Sequence, residues 1–254
     1  VQTGLERNGA NGLYSATVPT SGCPTFTTIS RANNGWPAGT AEGNVSTPNP
    51  LGRIDIAGSA TDPNIIYAQV AVPNSSATIL GVWKSIDSGA NWTQPQVGNI
   101  SGAGTQSWYN AGMLVDPTNS NNVYLSAFRT FRSTNGGSSF VSTGSFPHVD
   151  HHALAFVQGD PNRLLIGTDG GVYYSANALA TTPTWIALNA TLNTIEFYSG
   201  GITANFNTAP NVSAVGGAQD NSCMVSTWPA GSIGPQTWFS RNGGDGIWST
   251  IEPI

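Results

Sequence analysis

Four aspartates occupy positions from which they could carry out acid–base chemistry: Asp150, Asp169, Asp220 and Asp245. Two carboxyl groups that face each other across a groove form the acid and base of glycoside hydrolysis, where a wide gap implies inversion and a short gap retention. Asp169, Asp220 and Asp245 also lie beside Gly or Asn, a setting in which an aspartate commonly caps a turn. Both interpretations, a catalytic pair and turn-capping side chains, follow from these residues.

All three histidines of the chain, His148, His151 and His152, surround Asp150. Such a cluster can ligate a metal, act as a general acid–base group beside a carboxylate, or be structural. The spacing matches no tetrahedral zinc motif, so we predict no metal and no cofactor. Because successive strand residues point to opposite faces, His151 and His152 cannot both face a ligand. We assign His151 to the candidate ligand-binding residues.

Two arginines and three aromatic residues complete the candidate set. Arg53 and Arg129 have the chemistry to orient hydroxyl groups or a carboxylate. Trp108, Tyr109 and Tyr198 offer rings on which a sugar can stack. Aromatic residues at these positions would serve equally well as a hydrophobic plug, and the sequence leaves both roles open.

A repeated phrase predicts the elements that position these residues. Asp62-Pro63-Asn64, Asp116-Pro117 and Asp160-Pro161-Asn162 each precede an apolar run, and a looser copy lies at 207–211. A period of roughly 45 to 55 residues with strand-like content is typical of a β-propeller.

Each complete copy predicts four short strands, A to D, from its alternating apolar residues and its Gly, Pro and Asn punctuation. The predicted strands are 54–60, 65–70, 81–85 and 92–94 in the first complete copy; 111–115, 123–127, 130–133 and 139–142 in the second; 152–157, 163–168, 171–175 and 184–188 in the third; and 201–205, 212–216, 223–227 and 236–240 in the fourth.

The two ends of the chain read as parts of one further copy. Residues 1–4, 12–15 and 25–29 are predicted as strands B, C and D, and 246–253 as strand A. Pairing these ends would close the ring and remove two exposed sheet edges. We therefore predict an all-β, five-bladed propeller forming one domain over residues 1–254. The alternative is a fragment of a longer propeller of about six to eight blades.

Propeller geometry predicts where the candidate residues meet. The connections from D to A and from B to C gather on one face of the ring, around the channel. Residues preceding strand A and residues of the B–C turns should therefore converge on that face. Binding and catalytic residues commonly lie on such loops. The first group is Arg53, Trp108, Tyr109, Asp150, Tyr198 and Asp245, and the second is Arg129, Asp169 and Asp220.

Two segments between predicted strands C and D share a pattern: Ser85-Ile86-Asp87-Ser88-Gly89-Ala90-Asn91-Trp92 and Ser133-Thr134-Asn135-Gly136-Gly137-Ser138-Ser139-Phe140. This pattern resembles the Asp-box (BNR) hairpin of sialidase-like propellers. The resemblance implies a structural turn placed away from the active face, so Asp87 is not a catalytic candidate.

Residues 148–175, with 216–221 and 243–246, resemble secreted BNR-repeat proteins labelled glycosyl hydrolases. The resemblance implies a secreted, extracellular protein that handles carbohydrate. The two catalytic aspartates of the more distant Asp-box xyloglucanases cannot be placed here residue by residue. The arginine triad and Arg-Ile-Pro segment of true sialidases are not evident, since Arg53-Ile54 lacks the proline. We do not expect sialidase activity.

Composition limits the classes of partner that the protein can bind. A net charge of -5, with 8 Lys and Arg in total, argues against nucleic acid, which requires clustered basic residues. No apolar run reaches the about 18 residues of a membrane span.

Cys23 and Cys223 either pair as a disulfide or are independent thiols. Six Asn-x-Ser/Thr sequons give slight support for a secreted glycoprotein; they begin at Asn44, Asn74, Asn91, Asn99, Asn189 and Asn211.

These observations lead to two competing functions. The first is a carbohydrate-handling propeller, which in its enzymatic form hydrolyses glycosides with two of the four aspartates. The second is a non-catalytic propeller that binds glycan or protein through the same face. The copies differ in their candidate residues, which argues against a lectin with one equivalent pocket per blade.

Overall fold

The computed structural model describes residues 12–30, 33–36, 51–72, 78–144, 148–192 and 195–251. These residues form β-strands and one short 3-10 helix, Asn189–Thr191, and contain no α-helix. Within them, no helix has the length and apolar character needed to cross a membrane. The chain divides into two compact units, Val1–Leu188 and Asn189–Ile254, which are described separately below.

The first unit consists of a two-stranded sheet followed by three antiparallel four-stranded sheets in chain order. The two-stranded sheet is β1 (Tyr14–Ser15) and β2 (Thr27–Thr28). Blade I is β3 (Ile54–Gly58), β4 (Ile66–Ala71), β5 (Ile79–Ser85) and β6 (Thr93–Val97). Blade II is β7 (Gly112–Asp116), β8 (Asn119–Ser126), β9 (Thr130–Ser133) and β10 (Val141–Ser142). Blade III is β11 (His151–Val157), β12 (Asp160–Thr168), β13 (Gly171–Ser175) and β14 (Ile186–Ala187).

The second unit contains one antiparallel four-stranded sheet, blade IV. It consists of β15 (Ser199–Ile202), β16 (Asn211–Ala218), β17 (Ser222–Pro229) and β18 (Phe239–Ser240). Residues 246–251 run beside β15 without forming a strand. The Ser199 hydroxyl donates to the Ile247 carbonyl oxygen over 2.9 Å and accepts from the Ser249 amide over 2.7 Å.

Each of the four blades pairs its strands in simple sequence order, which is the arrangement of a propeller blade. The predicted all-β, β-propeller fold class is therefore confirmed. The strand predicted at 246–253 is wrong over 246–251, because hydrogen bonds to the Ser199 side chain replace a backbone ladder there. Residues 1–4 and 252–253 lie outside the described part. The five-blade ring, its longer alternative and the single domain stay predictions.

The first strands of neighbouring blades lie against one another, since β7 contacts both β3 and β11. This contact brings backbones close together at the start of β7. A methyl group at Gly112 would lie 2.9 Å from the His152 carbonyl oxygen, so only glycine fits without a shift. The starts of β7 and β11 are thereby held side by side.

Apolar side chains fill the space between blades I and II. Tyr67, Val82, Leu125 and Phe131 are all buried and belong to one cluster. Burying each such side chain stabilises the fold by about 1.5–3 kcal/mol relative to exposure. The Tyr67 hydroxyl donates to the Ser120 carbonyl oxygen over 2.9 Å, and burial raises the pKa of Tyr67 to about 12.

A second cluster joins blades II and III. The buried Tyr124 ring of β8 packs with Leu164 and Ile166 of β12, and its hydroxyl donates to the Ala178 carbonyl oxygen over 3.1 Å. Successive blades of the first unit are therefore joined by aromatic side chains whose polar ends are satisfied.

The turn between β5 and β6 is closed by its own side chains. Asp87 Oδ1 accepts from the Asn91 amide and from the Ser85 hydroxyl, each over 2.8 Å. The Ser85 hydroxyl accepts from the Gly89 amide over 2.8 Å. Hydrogen bonds from Asn91 are the main reason that the pKa of Asp87 lies below its usual value. The corresponding turn after β9 repeats these bonds around Ser133 and Asn135.

The two cysteines are both free thiols. Cys23 is exposed and Cys223 is half-buried. The disulfide that the sequence allowed is therefore not formed.

Candidate functional site

Backbone hydrogen bonds bring the start of β11 next to two turns of the first unit. The Asp150 amide donates to the Phe128 carbonyl oxygen over 3.1 Å, and the Asp150 carbonyl oxygen accepts from the Asp169 amide over 3.2 Å. Asp150 has a φ of 58°, in the left-handed region that aspartate tolerates better than most residues. The turns that carry Arg129 and Asp169 therefore meet at Asp150.

An aromatic pair stands beside this meeting point. The rings of Trp108 and Tyr109 lie 5.4 Å apart, and Tyr109 packs edge-to-face on His152 with 4.7 Å between ring centroids. Tyr109 is 43% exposed, so one side of its ring remains available to solvent.

His152 is held by a carboxylate. Its Nε2 donates to Asp169 Oδ1 over 2.5 Å, and the two side chains are 30% and 15% exposed. A carboxylate that fixes a histidine ring in this way determines both its orientation and which nitrogen carries the proton. His152 is not among the site residues predicted from the sequence. Strand alternation indicated that His151 and His152 point to opposite sides, but not which one faces the site.

Asp150 lies deeper than Asp169. It is 7% exposed, and its Oδ1 accepts from Asn110 Nδ2 over 2.5 Å. Carboxylate oxygens of Asp150 and Asp169 lie within 4.8 Å of each other. Asn110 is itself fully buried and was not predicted as a site residue. The sequence around Asn110 does not indicate this role, because its partner Asp150 is 40 residues away in the chain.

His151 takes no part in this surface. It is fully buried, with Nδ1 2.8 Å from Thr130 Oγ1 and Nε2 3.2 Å from the His148 carbonyl oxygen. Burial lowers its pKa to about 4, opposed by the hydrogen bond to His148. The structure thus places His151 behind the site, where it supports the start of β11 and cannot reach a ligand.

The two predicted arginines have different environments. Arg53 Nη1 donates to the Tyr109 carbonyl oxygen over 2.6 Å, and Nη2 donates to the Ala111 carbonyl oxygen over 3.1 Å. Arg129 is exposed, and its guanidinium lies 5.9 Å from the Phe128 ring centroid. Arg53 therefore holds the backbone beneath the aromatic pair, whereas Arg129 is free to extend toward solvent.

The remaining predicted residues belong to the second unit. Tyr198 is 55% exposed, and its hydroxyl donates to Gln219 Oε1 over 2.8 Å. Asp245 Oδ1 accepts from the Asp220 amide over 3.0 Å, and Asp220 has a φ of 58°. Asp245 thus shapes the turn between β16 and β17, as the turn-capping interpretation predicts.

Two surface pockets lie elsewhere. One of about 410 Å³ is formed by the β1–β2 hairpin, around Thr17 and Cys23. One of about 520 Å³ lies in the second unit, around Asn205 and Asn211. Neither of these two pockets is lined by a predicted site residue.

No protein-family model and no curated protein matches the chain. Among solved structures, it is similar to a GH74 enzyme from Niastella koreensis, with 16% identity and a TM-score of 0.48, over 87% of this chain and 38% of that one. It is also similar to the GH74 xyloglucanase from Xanthomonas campestris, with 15% identity and a TM-score of 0.44, over 76% and 32% of the two chains. YCF48 from Cyanidioschyzon merolae has 20% identity and a TM-score of 0.39, over 77% and 58%.

The chain thus spans 38% and 32% of the two GH74 structures and 58% of YCF48. The propeller assignment rests on the order of the strands within the chain's own sheets.

Proposed function

We propose that this chain is a carbohydrate-binding propeller whose site in the first unit centres on Tyr109. The observation that carries the proposal is the exposed Tyr109 ring standing against His152, which is itself held by Asp169. A sugar presents an apolar C–H face and a rim of hydroxyl groups. An accessible aromatic ring beside fixed polar groups complements both features.

Each neighbouring residue has a distinct role in this proposal. Trp108 extends the stacking surface, Asp169 accepts hydrogen bonds from sugar hydroxyls, and Arg129 donates to them. Arg53 does not contact the sugar, because its guanidinium is bound to the Tyr109 and Ala111 carbonyl groups. It is a positioning residue. In the second unit, the exposed Tyr198 ring offers a further stacking surface.

Glycoside hydrolysis is the second candidate function. It is favoured by the carboxylate oxygens of Asp150 and Asp169, which lie within 4.8 Å of each other. Retaining glycosidases place their two carboxyl groups about 5–5.5 Å apart. In this version Asp169, the more exposed of the two, faces the substrate, and Asp150 is its buried partner.

We further propose that the chain is a secreted Asp-box propeller. The matching hydrogen bonds around Ser85 and Asp87 and around Ser133 and Asn135 support the Asp-box assignment. The sequons and the scarcity of charged residues, 8% of the chain, support secretion.

Calorimetric titration with neutral cello-, xylo- and xyloglucan oligosaccharides tests the binding function. We expect Tyr109→Ala to weaken binding at least about fivefold, because stacking contributes about 1 kcal/mol or more. The matched control is Phe26→Ala, which removes a ring that is 63% exposed in the β1–β2 hairpin. Equal losses in both variants, or no binding by a folded wild type, would contradict the proposal and favour a protein partner.

Release of reducing ends in the same mixtures tests hydrolysis. Activity that is lost in Asp150→Asn and in Asp169→Asn would establish the carboxylate pair as catalytic. Binding without release by the wild type would leave the site as a non-catalytic carbohydrate-binding surface.

A further inference from the structure

The Asp150 carboxyl group is buried with little to balance its charge. Among the described residues, the side chain that donates a hydrogen bond to it is the neutral amide of Asn110. Within the described residues the ion pairs are His152–Asp169 and Arg163–Asp160, so Asp150 has no cationic partner there. Buried carboxylates are normally paired with a cation or coordinate a metal.

A second carboxylate adds to this imbalance. An oxygen of Asp169 lies within 4.8 Å of an oxygen of Asp150, a distance at which two negative charges repel each other. His152 offsets only the Asp169 charge, since its Nε2 is bound to Asp169 Oδ1. The pair therefore favours a positive charge between the two carboxyl groups.

Asn110 supplies an independent indication of a ligand. Its side chain is fully buried, and its Oδ1 has no hydrogen-bond partner in the described part of the chain. A buried amide oxygen without a partner is unfavourable. The amide already contacts the Asp150 carboxylate through Nδ2. Nδ2 and Oδ1 of an asparagine amide exchange places on a half-turn, so a cation between the carboxyl groups would draw Oδ1 toward it in place of Nδ2.

We propose that Asp150, Asp169 and Asn110 form a Ca²⁺ site. Carboxylate and amide oxygens are the ligands that Ca²⁺ prefers, at about 2.3–2.6 Å, so two ligands of one ion can lie about 5 Å apart. The 4.8 Å limit between the two carboxylates agrees with this spacing. Mg²⁺ demands near-ideal octahedral geometry with bonds of about 2.0–2.1 Å and gives up its water reluctantly, so protein oxygens alone hold it less readily.

The surroundings of the three ligands fit a metal site. His152 donates to Asp169 and so fixes the orientation of that carboxylate, as residues around metal ligands commonly do. Zinc is disfavoured because Nε2 of His152 is engaged by Asp169, and both ring nitrogens of His151 are engaged by Thr130 and His148.

Three protein ligands leave coordination positions that water or sugar hydroxyls fill, since Ca²⁺ takes six to eight oxygens. A Ca²⁺ that binds two neighbouring hydroxyls would fix a sugar ring against Tyr109. This glycan step rests on the proposed carbohydrate function, whereas cation binding does not. Both carboxylates are occupied by the ion, so Ca²⁺ binding excludes hydrolysis by the Asp150–Asp169 pair.

Tb³⁺ luminescence and Ca²⁺ competition test the site on the full chain. Tb³⁺ substitutes for Ca²⁺ and is excited through nearby aromatic rings, here Trp108 and Tyr109. We expect a signal that Ca²⁺ displaces, with at least a tenfold loss of affinity in Asp150→Asn and in Asp169→Asn. The matched control is Asp62→Asn, which changes a turn aspartate of blade I whose Oδ1 accepts from the Asn64 amide.

Thermal unfolding of the wild type keeps the test decisive if a variant fails to fold. An ion that binds only the folded state raises the midpoint temperature. We expect millimolar Ca²⁺ to raise it relative to EGTA, and Mg²⁺ at the same concentration to raise it less. No displaceable Tb³⁺ signal together with no thermal shift would overturn the site. Equal loss of affinity in Asp62→Asn would also overturn it.

Oligosaccharide titrations with Ca²⁺ and with EGTA separate the two proposals. Ca²⁺ binding without any glycan binding would leave the cation site and end the carbohydrate function. Glycan binding without Ca²⁺ binding would do the reverse. If the protein binds Ca²⁺ but its glycan affinity is the same in EGTA, coordination of sugar hydroxyls by the ion is wrong.

Discussion

The protonation state of His151 follows from its two hydrogen bonds. The His148 carbonyl oxygen can only accept, so Nε2 of His151 carries the proton and Nδ1 accepts from the Thr130 hydroxyl. Protonating Nδ1 would break the hydrogen bond that it accepts from the Thr130 hydroxyl, and it would place a cation in a fully buried position. His151 is therefore neutral at neutral pH, which agrees with its lowered pKa of about 4.

This burial predicts a loss of stability in weak acid. The unfolded chain takes up a proton at His151 near its ordinary pKa of 6.5, whereas the folded chain does so only near 4. Stability therefore falls as the pH drops between these values. From pH 7 to pH 5 the loss at this one group is about 2 kcal/mol. Urea unfolding at both pH values should show a smaller drop for His151→Gln than for the wild type.

His148→Gln is the control for that measurement, because it leaves the His151 ring and the carbonyl group that His151 contacts. It should keep the wild-type drop due to His151. If His151→Gln loses as much stability as the wild type between pH 7 and pH 5, the dependence originates at other groups and the argument for His151 fails.

At the scale of single residues, the sequence predicted which candidate residues lie close together better than it predicted the directions of their side chains. Asp150, Asp169 and Tyr109 come together because each precedes or follows a strand at the same edge of neighbouring blades. Alternation shows only that the side chains of His151 and His152 point to opposite faces of the strand. It does not show which of the two faces the core. Asn110 required a contact between distant segments.

At the scale of strands, Arg53 joins two blades. It precedes β3 of blade I, and its guanidinium donates to the carbonyl oxygens of Tyr109 and Ala111, just before β7 of blade II. The planar guanidinium thus binds two carbonyl oxygens of the segment that precedes β7, a geometry that lysine cannot reproduce.

Arg53→Gln should destabilise the fold by about 1–3 kcal/mol, because it removes two charge-assisted bonds and leaves carbonyl oxygens without their partner. Arg163→Gln is the matched control. Its ion pair with Asp160 spans three residues, and the two side chains are 46% and 36% exposed. Such a pair contributes less than about 1 kcal/mol. Urea unfolding of both variants checks the difference, and equal effects would show that Arg53 does not hold the blades together.

Strand predictions were most accurate where strands pair on both sides. Strand β13 has the predicted bounds, Gly171–Ser175, and it lies between β12 and β14. Two outer strands are shorter than predicted, since 184–188 became Ile186–Ala187 and 236–240 became Phe239–Ser240, whereas β6 (Thr93–Val97) is longer than the predicted 92–94. An outer strand is paired along one edge only, so its ends lack the ladder that alternating residues alone would suggest.

At the scale of the whole molecule, the low charge predicts how the protein responds to salt. Only 8% of its residues are charged, and its net charge is -5. Salt screens interactions between charges and leaves stacking and neutral hydrogen bonds nearly unchanged. The affinity for a neutral oligosaccharide should therefore change less than about twofold between about 50 and 500 mM NaCl, whereas a nucleic-acid ligand would lose affinity steeply. Titrations at both salt concentrations check this, with duplex DNA as the comparison ligand. A steep fall for the oligosaccharide would mean that binding depends on the few basic side chains, and the site would then have to be reassigned around Arg129.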